Sequence, residues 1–369
     1  MIKILVTGGA GFIGSNFIRL VLTDHPDCFI VNLDNLTYAG NLENLEGFLK
    51  HPNHIFVKAD INDGKTVEEI IDKHQIEAII NFAAESHVDR SITSPKIFIE
   101  TNVTGTLTLL QAACDKKIKR FIQISTDEVY GELGATGKFT EQMPLAPNSP
   151  YSASKASADL LVKAFGHTWG LNYNITRCSN NYGPYQFPEK MIPLMINNAL
   201  NDKPLPVYGD GLNVRDWIHV EDHCKAIWKV LTDGKPGEIY NIGSSNEKTN
   251  LEVVRTILKL IGKPESLITY VKDRPGHDKR YAIDSTKTNS QLGWKAEIKF
   301  EQGMKNTIDC ICKTKNGSLT LPAANIRNTI SRCTPTVRRC YAQWKSYHSK
   351  TLAGIRRSGA FGRRCGCRH

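Results

Sequence analysis

The sequence predicts an α/β fold in which a parallel sheet is wrapped by helices, with a smaller α/β part after it. Three observations carry that expectation. Short apolar runs alternate with segments of helical spacing through the first 130 residues, the pattern of successive strand–helix–strand units. A glycine-rich stretch joins the first apolar run to the first helical one. From about residue 185 the chain loosens into loops holding Pro and Gly, with helical stretches between them.

In order, "IKILVTG" reads as a strand and "FIGSNFIRLVLTD" as a helix. "FIVNLDN" and "IFVKADI" are the second and third strands, "TVEEIIDKHQI" a helix and "AIINFAA" the fourth strand. "NVTGTLTLLQAACDKK" has helical spacing and "RFIQIS" is the fifth strand. "SPYSASKASADLLVKAFGHTWG" predicts a helix over 149–170 with Pro150 near its start, where a missing N–H costs nothing. "NITRCSNNYGP" gives a strand and a turn, and helical stretches follow near 192–201, 221–232 and 250–262. The expected organisation is a nucleotide-binding domain over 1–178 and a mainly substrate-binding part over 179–309, with 217–243 returning to the first domain.

The first glycine stretch, "VTGGAGFIGS", contains both G-x-G-x-x-G (Gly9, Gly11, Gly14) and G-x-x-G-x-x-G (Gly8, Gly11, Gly14). Glycines also make plain turns. Between a strand and a helix, however, they let backbone approach a pyrophosphate at the helix N-terminus. Asp34 ends the second strand 20 residues past Gly14, where a carboxylate bonds a ribose 2′-hydroxyl and repels a 2′-phosphate. The expectation is a Rossmann-type doubly wound sheet that binds NAD rather than NADP.

Ligands collect at the carboxyl ends of strands in such sheets. "STDEVYG" (125–131) follows the fifth strand and sets Asp127 beside Glu128, with Thr126 ahead of them. A solvated turn is the plain alternative. "YSASK" places Tyr151 and Lys155 four apart, on one helix face. An ammonium beside a phenol is expected to lower its pKa and make Tyr151 a base near neutrality; a surface Tyr–Lys pair is the alternative.

Together the glycine loop and "YSASK" resemble the short-chain dehydrogenase/reductase family, in its extended nucleotide-sugar branch. "STDEVYG", "AAESHVDRS", "SNNYGPYQFPEK", "GDGLNVRDWIHVEDH" and "DRPGHDKRYAID" are similar, within it, to the dTDP-glucose 4,6-dehydratases. The resemblance runs from residue 1 to about 309. It implies that Tyr151 takes the proton of the sugar's carbon-4 hydroxyl while NAD takes the hydride. Glu128 then removes the proton on carbon 5, Asp127 protonates the departing carbon-6 hydroxyl, and the hydride returns to carbon 6. Asp127 must hold a proton, so its pKa should be raised by burial or by Glu128. Thr126 would bond the carbon-4 hydroxyl.

The resemblance also implies a cofactor wall of Gly8, Gly11, Phe12, Ile13 and Gly14, then Asp34, Asn35, Leu36, Thr37, Asp60 and Ile61. Phe82, Ala83, Ala84, Glu85, Ser86, Thr101, Tyr151, Lys155 and Asn181 would complete it. Ser86, Thr126, Asn180, Lys190, Met191, Pro206, Val207 and Tyr208 would face the dTDP-sugar, with Arg215, Asn250, Arg274, His277 and Tyr281. Arg215, Arg274 and Lys190 suit a diphosphate, and each could equally be a solvated charge. The further implications are a homodimer built through helices including the one bearing Tyr151, and a place in deoxysugar and rhamnose supply for polysaccharide. A UDP-glucose 4,6-dehydratase or a 4-epimerase is the rival enzyme reading, and an NAD-sensing binding protein the rival of another class.

Charge confirms where the resemblance stops. The net charge is +10, but beyond Asp309 there are 13 Lys and Arg and no Asp or Glu, leaving 34 basic and 37 acidic residues (net −3) before it. Nucleic acid is therefore not the expected partner of the body. Six of the ten cysteines also fall after 309; those of the body lack disulfide or metal spacing, and no metal is expected. Sixty residues of basic tail (310–369) with no sustained period suggest out-of-frame or disordered sequence, with a native basic arm for acidic partners as the rival reading. No run of about 18 apolar residues and no signal-peptide pattern is seen, so the expected address is cytoplasmic, with no membrane contact.

Overall fold

The computed structural model describes residues 1–273 and 276–316. Residues Met1–Thr307 form one compact unit, and a second begins at Ile308. The strands are β1 (Ile2–Thr7), β2 (Cys28–Asp34), β3 (His54–Lys58), β4 (Ala78–Asn81), β5 (Arg120–Thr126), β6 (Tyr173–Cys178), β7 (Asn180–Tyr182), β8 (Leu205–Tyr208), β9 (Val214–His219), β10 (Ile239–Ile242), β11 (Glu247–Thr249) and β12 (Ile268–Val271). The helices are α1 (Phe12–Asp24), α2 (Gly64–His74), α3 (Val88–Thr93), α4 (Pro95–Phe98), α5 (Gly105–Asp115), α6 (Pro150–Trp169), α7 (Met191–Leu200), α8 (Val220–Asp233), α9 (Asn250–Ile261), α10 (Thr286–Leu292) and α11 (Phe300–Asn316).

Seven strands form one sheet in the order β10-β6-β5-β4-β1-β2-β3, every neighbouring pair parallel. This is the Rossmann-type doubly wound arrangement, and the order reverses beside β1. The strands read as nearly unbroken apolar runs because both faces are covered. Ile4, Val6 and Ile30 pack on one face with Phe17, Ile18 and Val21 of α1 and Cys224, Ile227 and Val230 of α8. Leu5, Val31 and Ile79 pack on the other with Val67 and Ile70 of α2, Leu109 and Leu110 of α5 and Val162 of α6.

The helix bearing Tyr151 is closed at both ends. Ser149 and Ser152 form a reciprocal cap around Pro150, and Gly170 ends the helix in the left-handed region at φ 68°. Before α5 the chain makes a π-helical turn over Ile99–Thr104, one turn ahead of the start that periodicity suggested. Beyond the main sheet, β11-β9-β7 and β12-β8 form two small sheets. Among the described residues, no helix is long and apolar enough to cross a membrane.

Candidate active site

The glycine loop sits at the point where the strand order reverses. Gly8 has φ 69°, and a Cβ there would lie 2.6 Å from the backbone nitrogen of Ala83, at the mouth of β4. A Cβ on Gly14 would lie 2.4 Å from the Gly8 carbonyl oxygen, so only glycine lets α1 start this close to β1. Gly11 is the N-cap of α1 and no described side chain caps the helix; the N–H groups at Phe12 and Ile13 are thus presented to a ligand. Asp34 braces the loop: one carboxylate oxygen accepts from the Ala10 N–H at 2.9 Å and the other from Leu36 N–H at 2.8 Å. Burial raises its pKa, against those two hydrogen bonds. Asn35 donates to Asp60 at 2.7 Å, Leu36 takes φ 54°, Thr37 accepts from Gly40 N–H, and Ile61 is buried after β3. A glycine cradle, an uncapped helix start and a buried acid beside it fit a dinucleotide.

Phe82 to Ser86 follow β4, with Ala84 and Glu85 between the Ala83 contact and the Ser86 carbonyl, which accepts from Lys190 Nζ at 2.7 Å. Asn102, on the π-helical turn next to Thr101, holds this segment: Oδ1 accepts from Glu85 N–H (2.8 Å) and Nδ2 donates to Glu85 O (3.0 Å). Nδ2 also donates to Ser154 Oγ at 2.8 Å, and Ser154 Oγ donates to the Tyr151 carbonyl at 2.7 Å. The cofactor-side segment and the Tyr151 helix are therefore tied through one side chain. Sequence reasoning missed Asn102, since a polar residue in a helix-spaced run carries no sign of its partners.

Strand β5 runs through Thr126, and the chain then turns in a 3-10 helix over Asp127–Tyr130. Thr126 Oγ1 accepts from the Glu128 N–H and donates to Asp127 Oδ1, each at 3.3 Å. Asp127 is 2% exposed, and its Oδ2 has no hydrogen-bond partner among the described residues. Burial first, and the charges of Glu128 and Asp216 next, push its pKa well above the usual carboxylate range, with Arg215 opposing. That is the direction an acid catalyst needs. Tyr151 is buried in the same place, within the electrostatic reach of Glu128, Cys178 and Asp127, and with a hydrogen bond to Thr126. In the cofactor-free chain its pKa is raised well above 10, by burial first and by Glu128 next, opposite to the expected lowering. Spacing showed the Lys155 neighbour but not the burial. The Lys155 ammonium, itself buried, donates to the Ile124 carbonyl at 2.6 Å, and burial lowers its pKa while Asp159 and Cys178 raise it.

On the other side of the site, Asn180 and Asn181 lie on β7, and Asn181 Oδ1 is 2.9 Å from His223 Nδ1. Lys190 and Met191 start α7, Pro206, Val207 and Tyr208 lie on β8, and Asn250 starts α9. Arg215 donates to the carbonyls of Val214 and Asp278 and sits 4.3 Å over the Tyr281 ring. His277 pairs with Asp273 at 2.7 Å and meets the Tyr208 ring edge-on. Arg274 and residues 317–369 of the tail lie outside the described residues. Among the described residues, no group of three His, Cys, Asp or Glu is placed to hold a metal ion.

A family model described as GDP-mannose 4,6 dehydratase matches residues 5–307. A dTDP-glucose 4,6-dehydratase of Xanthomonas campestris pv. campestris (strain B100) is 56% identical over 323 residues, covering 83% of this chain and 92% of that protein. The chain belongs to the dTDP-glucose 4,6-dehydratase family. The dTDP-glucose 4,6-dehydratase 1 of Escherichia coli (strain K12) is 52% identical, with 83% and 92% covered. Among solved structures, a dTDP-glucose 4,6-dehydratase from Bacillus anthracis str. Ames in complex with NAD superposes with a TM-score of 0.81 at 52% identity, covering 85% of this chain and 98% of that one. A UDP-glucose 4-epimerase from Thermotoga maritima with UDP-glucose reaches 0.79 at 30% identity, covering 85% and 99%. The fold is thus common to both chemistries, and the 4,6-dehydratase family is singled out by sequence.

Proposed function

We propose that the chain converts dTDP-glucose to dTDP-4-keto-6-deoxyglucose and water, as an NAD-dependent hydro-lyase. The observation that carries this reading is the convergence of buried Asp127 and half-buried Glu128 on the buried phenol of Tyr151. An epimerase or simple dehydrogenase needs a phenol and an ammonium but no acid–base pair. Elimination needs a base for one proton and an acid for the leaving hydroxyl at once.

Gly8, Gly11 and Gly14 would admit the pyrophosphate to the α1 N-terminus, and Asp34 would face the ribose. When bound, NAD supplies a hydride acceptor for carbon 4, a donor for carbon 6 and a cationic ring. Tyr151 would take the carbon-4 hydroxyl proton once the Lys155 ammonium and the cationic ring of bound NAD offset the burial that raises its pKa in the cofactor-free chain, and Thr126 would orient that hydroxyl. The new ketone acidifies carbon 5, whose proton passes to Glu128. Asp127 gives its proton to the carbon-6 hydroxyl, which leaves as water. Glu128 returns a proton to carbon 5 as carbon 6 is reduced, so the cofactor ends as it began. Lys190, Arg215 and Arg274 would hold the diphosphate, and Tyr208 would pack on the base.

The same reading assigns 1–178 to cofactor binding and 179–309 mainly to the sugar nucleotide, with 217–243 returning to the first; β10 pairing with β6 supports the return. A homodimer is part of it, supported by exposed Ile92, Ile97, Ile99, Leu107, Leu160 and Trp169 on α3 to α6. A cytoplasmic address and an out-of-frame tail complete the proposal; sequencing the 3′ end of the gene tests the latter.

The decisive experiment incubates the purified chain with dTDP-glucose and, separately, UDP-glucose, following the 4-keto-6-deoxy product. Turnover of dTDP-glucose is expected. Preference for the UDP-sugar reassigns the substrate, and a 4-epimer without dehydration rejects the lyase reading.

A further inference from the structure

Arg177, on β6, is among the largest fully buried side chains, at 2% exposure. Its Nε donates to Asp159 Oδ2 at 2.9 Å, and Asp159 is fully buried. Tyr151, Lys155 and Asp159 follow at four-residue steps along α6, so they share one helix face; the Asp159 carboxylate is within reach of Lys155 and the Ser125 hydroxyl. On its other side the guanidinium lies 4.8 Å over the ring of Tyr130, the last residue of the turn that carries Asp127 and Glu128. Tyr130 in turn stacks on Phe139 and donates from its hydroxyl to Asn241 Oδ1 at 2.8 Å.

Two halves of the site thus meet at one guanidinium. The turn brings the acids, the helix brings the phenol and ammonium, and the chain between them runs through the long loop 131–149. Burying an ion pair costs several kcal/mol in desolvation, and apolar residues of similar volume often serve stability as well or better. Such a pair is best explained by a demand for register. We propose that the Arg177–Asp159 pair is a positioning element that ties the acid-bearing turn 127–130 to the helix bearing Tyr151 and Lys155, and so keeps elimination in step with oxidation. This rests on the reading of the site as a 4,6-dehydratase.

Arg177→Lys keeps the charge and loses the planar fork and the ring contact; the double variant Asp159→Leu/Arg177→Met removes both charges and fills the space. Each full-length chain, loaded with NAD, is mixed with dTDP-glucose in a single turnover while NADH absorbance and product are followed. In Arg177→Lys, oxidation is expected near the unmodified rate and elimination about 10- to 100-fold slower, so that NADH persists; the double variant, which also removes the carboxylate beside Lys155, is judged by the ratio of elimination to oxidation. Amide exchange over 127–131 is measured on the same proteins without substrate and is expected to quicken, while β5 stays protected. Equal slowing of both steps, or unchanged elimination in a folded variant, overturns the proposal. If the double variant does not fold, Arg177→Lys decides. If the unmodified chain makes no NADH from dTDP-glucose, the activity reading fails, and the exchange of the turn still judges the tie: unchanged protection in Arg177→Lys rejects it.

Discussion

Asp127 and Glu128 are neighbours on one 3-10 turn, yet Asp127 is sealed from solvent and Glu128 is only half-buried. Burial separates their roles before any substrate arrives. Burial pushes the sealed carboxyl toward its protonated form, and Glu128 is the larger carboxylate influence on the phenol of Tyr151.

The first prediction follows from that difference. Asp127→Asn and Glu128→Gln should slow elimination by about 10²- to 10⁴-fold while oxidation at carbon 4 continues, and NADH should accumulate in stopped-flow traces. Because the Asp127 pKa is raised, its acid form is lost only as pH climbs through the raised value, so elimination by the parent chain should fall on the alkaline side. Asp127→Asn should lack that limb. Product formation by both variants at the parent rate would remove the acid–base assignment.

Tyr151→Phe should fail earlier, at the first hydride transfer, with a loss of about 10²-fold or more. With Tyr151 raised by burial and by Glu128, Glu128→Gln should bring its ionisation to lower pH, moving the acid limb of oxidation downward. An unmoved limb would show that Glu128 does not face the phenol.

Gly14→Ala tests the loop. The added methyl cannot coexist with the Gly8 carbonyl 2.4 Å away, so α1 must retreat from β1. Calorimetric titration should show NAD affinity reduced by about tenfold or more. Binding at parental strength would mean that the pyrophosphate does not lie over this turn.

Asn102→Ala removes three hydrogen bonds at once and strands the Glu85 backbone. Loss of roughly 2–4 kcal/mol in urea unfolding is expected. The variant should also hold NAD more weakly, because segment 82–86 loses its tether.

His223 and His219 are buried neutral, with pKa values lowered to about 3 and about 4, first by burial. Their unfolded values lie near 6.5, so between that pH and the folded values the unfolded chain binds more protons. Stability is therefore full above about pH 6.5 and falls as the solution is acidified, by about 1.4 kcal/mol per pH unit for each histidine. His223→Gln should reduce that slope by one histidine's share, read from unfolding curves at pH 6 and pH 5.

Much of this was legible in the sequence. The strands carry continuous apolar runs because both faces are covered, and the Gly8–Gly14 loop and Asp34 follow from backbone geometry. The turn after β5 was expected from two acids that a straight strand would send to opposite faces. What stayed hidden depends on distance through space. Asn102 and Arg177 look like ordinary polar residues in a helix and a strand until Glu85, Ser154, Asp159 and Tyr130 are brought beside them. The acidity of Tyr151 was misjudged because four-residue spacing reveals a neighbour and says nothing of lost hydration. Strands β8 to β12 were missed because they span three to six residues among Pro, Gly and charged positions.

The hydrogen bond from Tyr130 to Asn241 joins parts of the chain that leave the ribosome far apart in time. Of the nucleotide cradle, the glycine loop and Asp34 lie within the first third of the chain. The anchor of the acid turn arrives more than a hundred residues later, with the outermost strand. A growing chain would thus hold its phosphate loop before the turn that carries Asp127 and Glu128 is anchored.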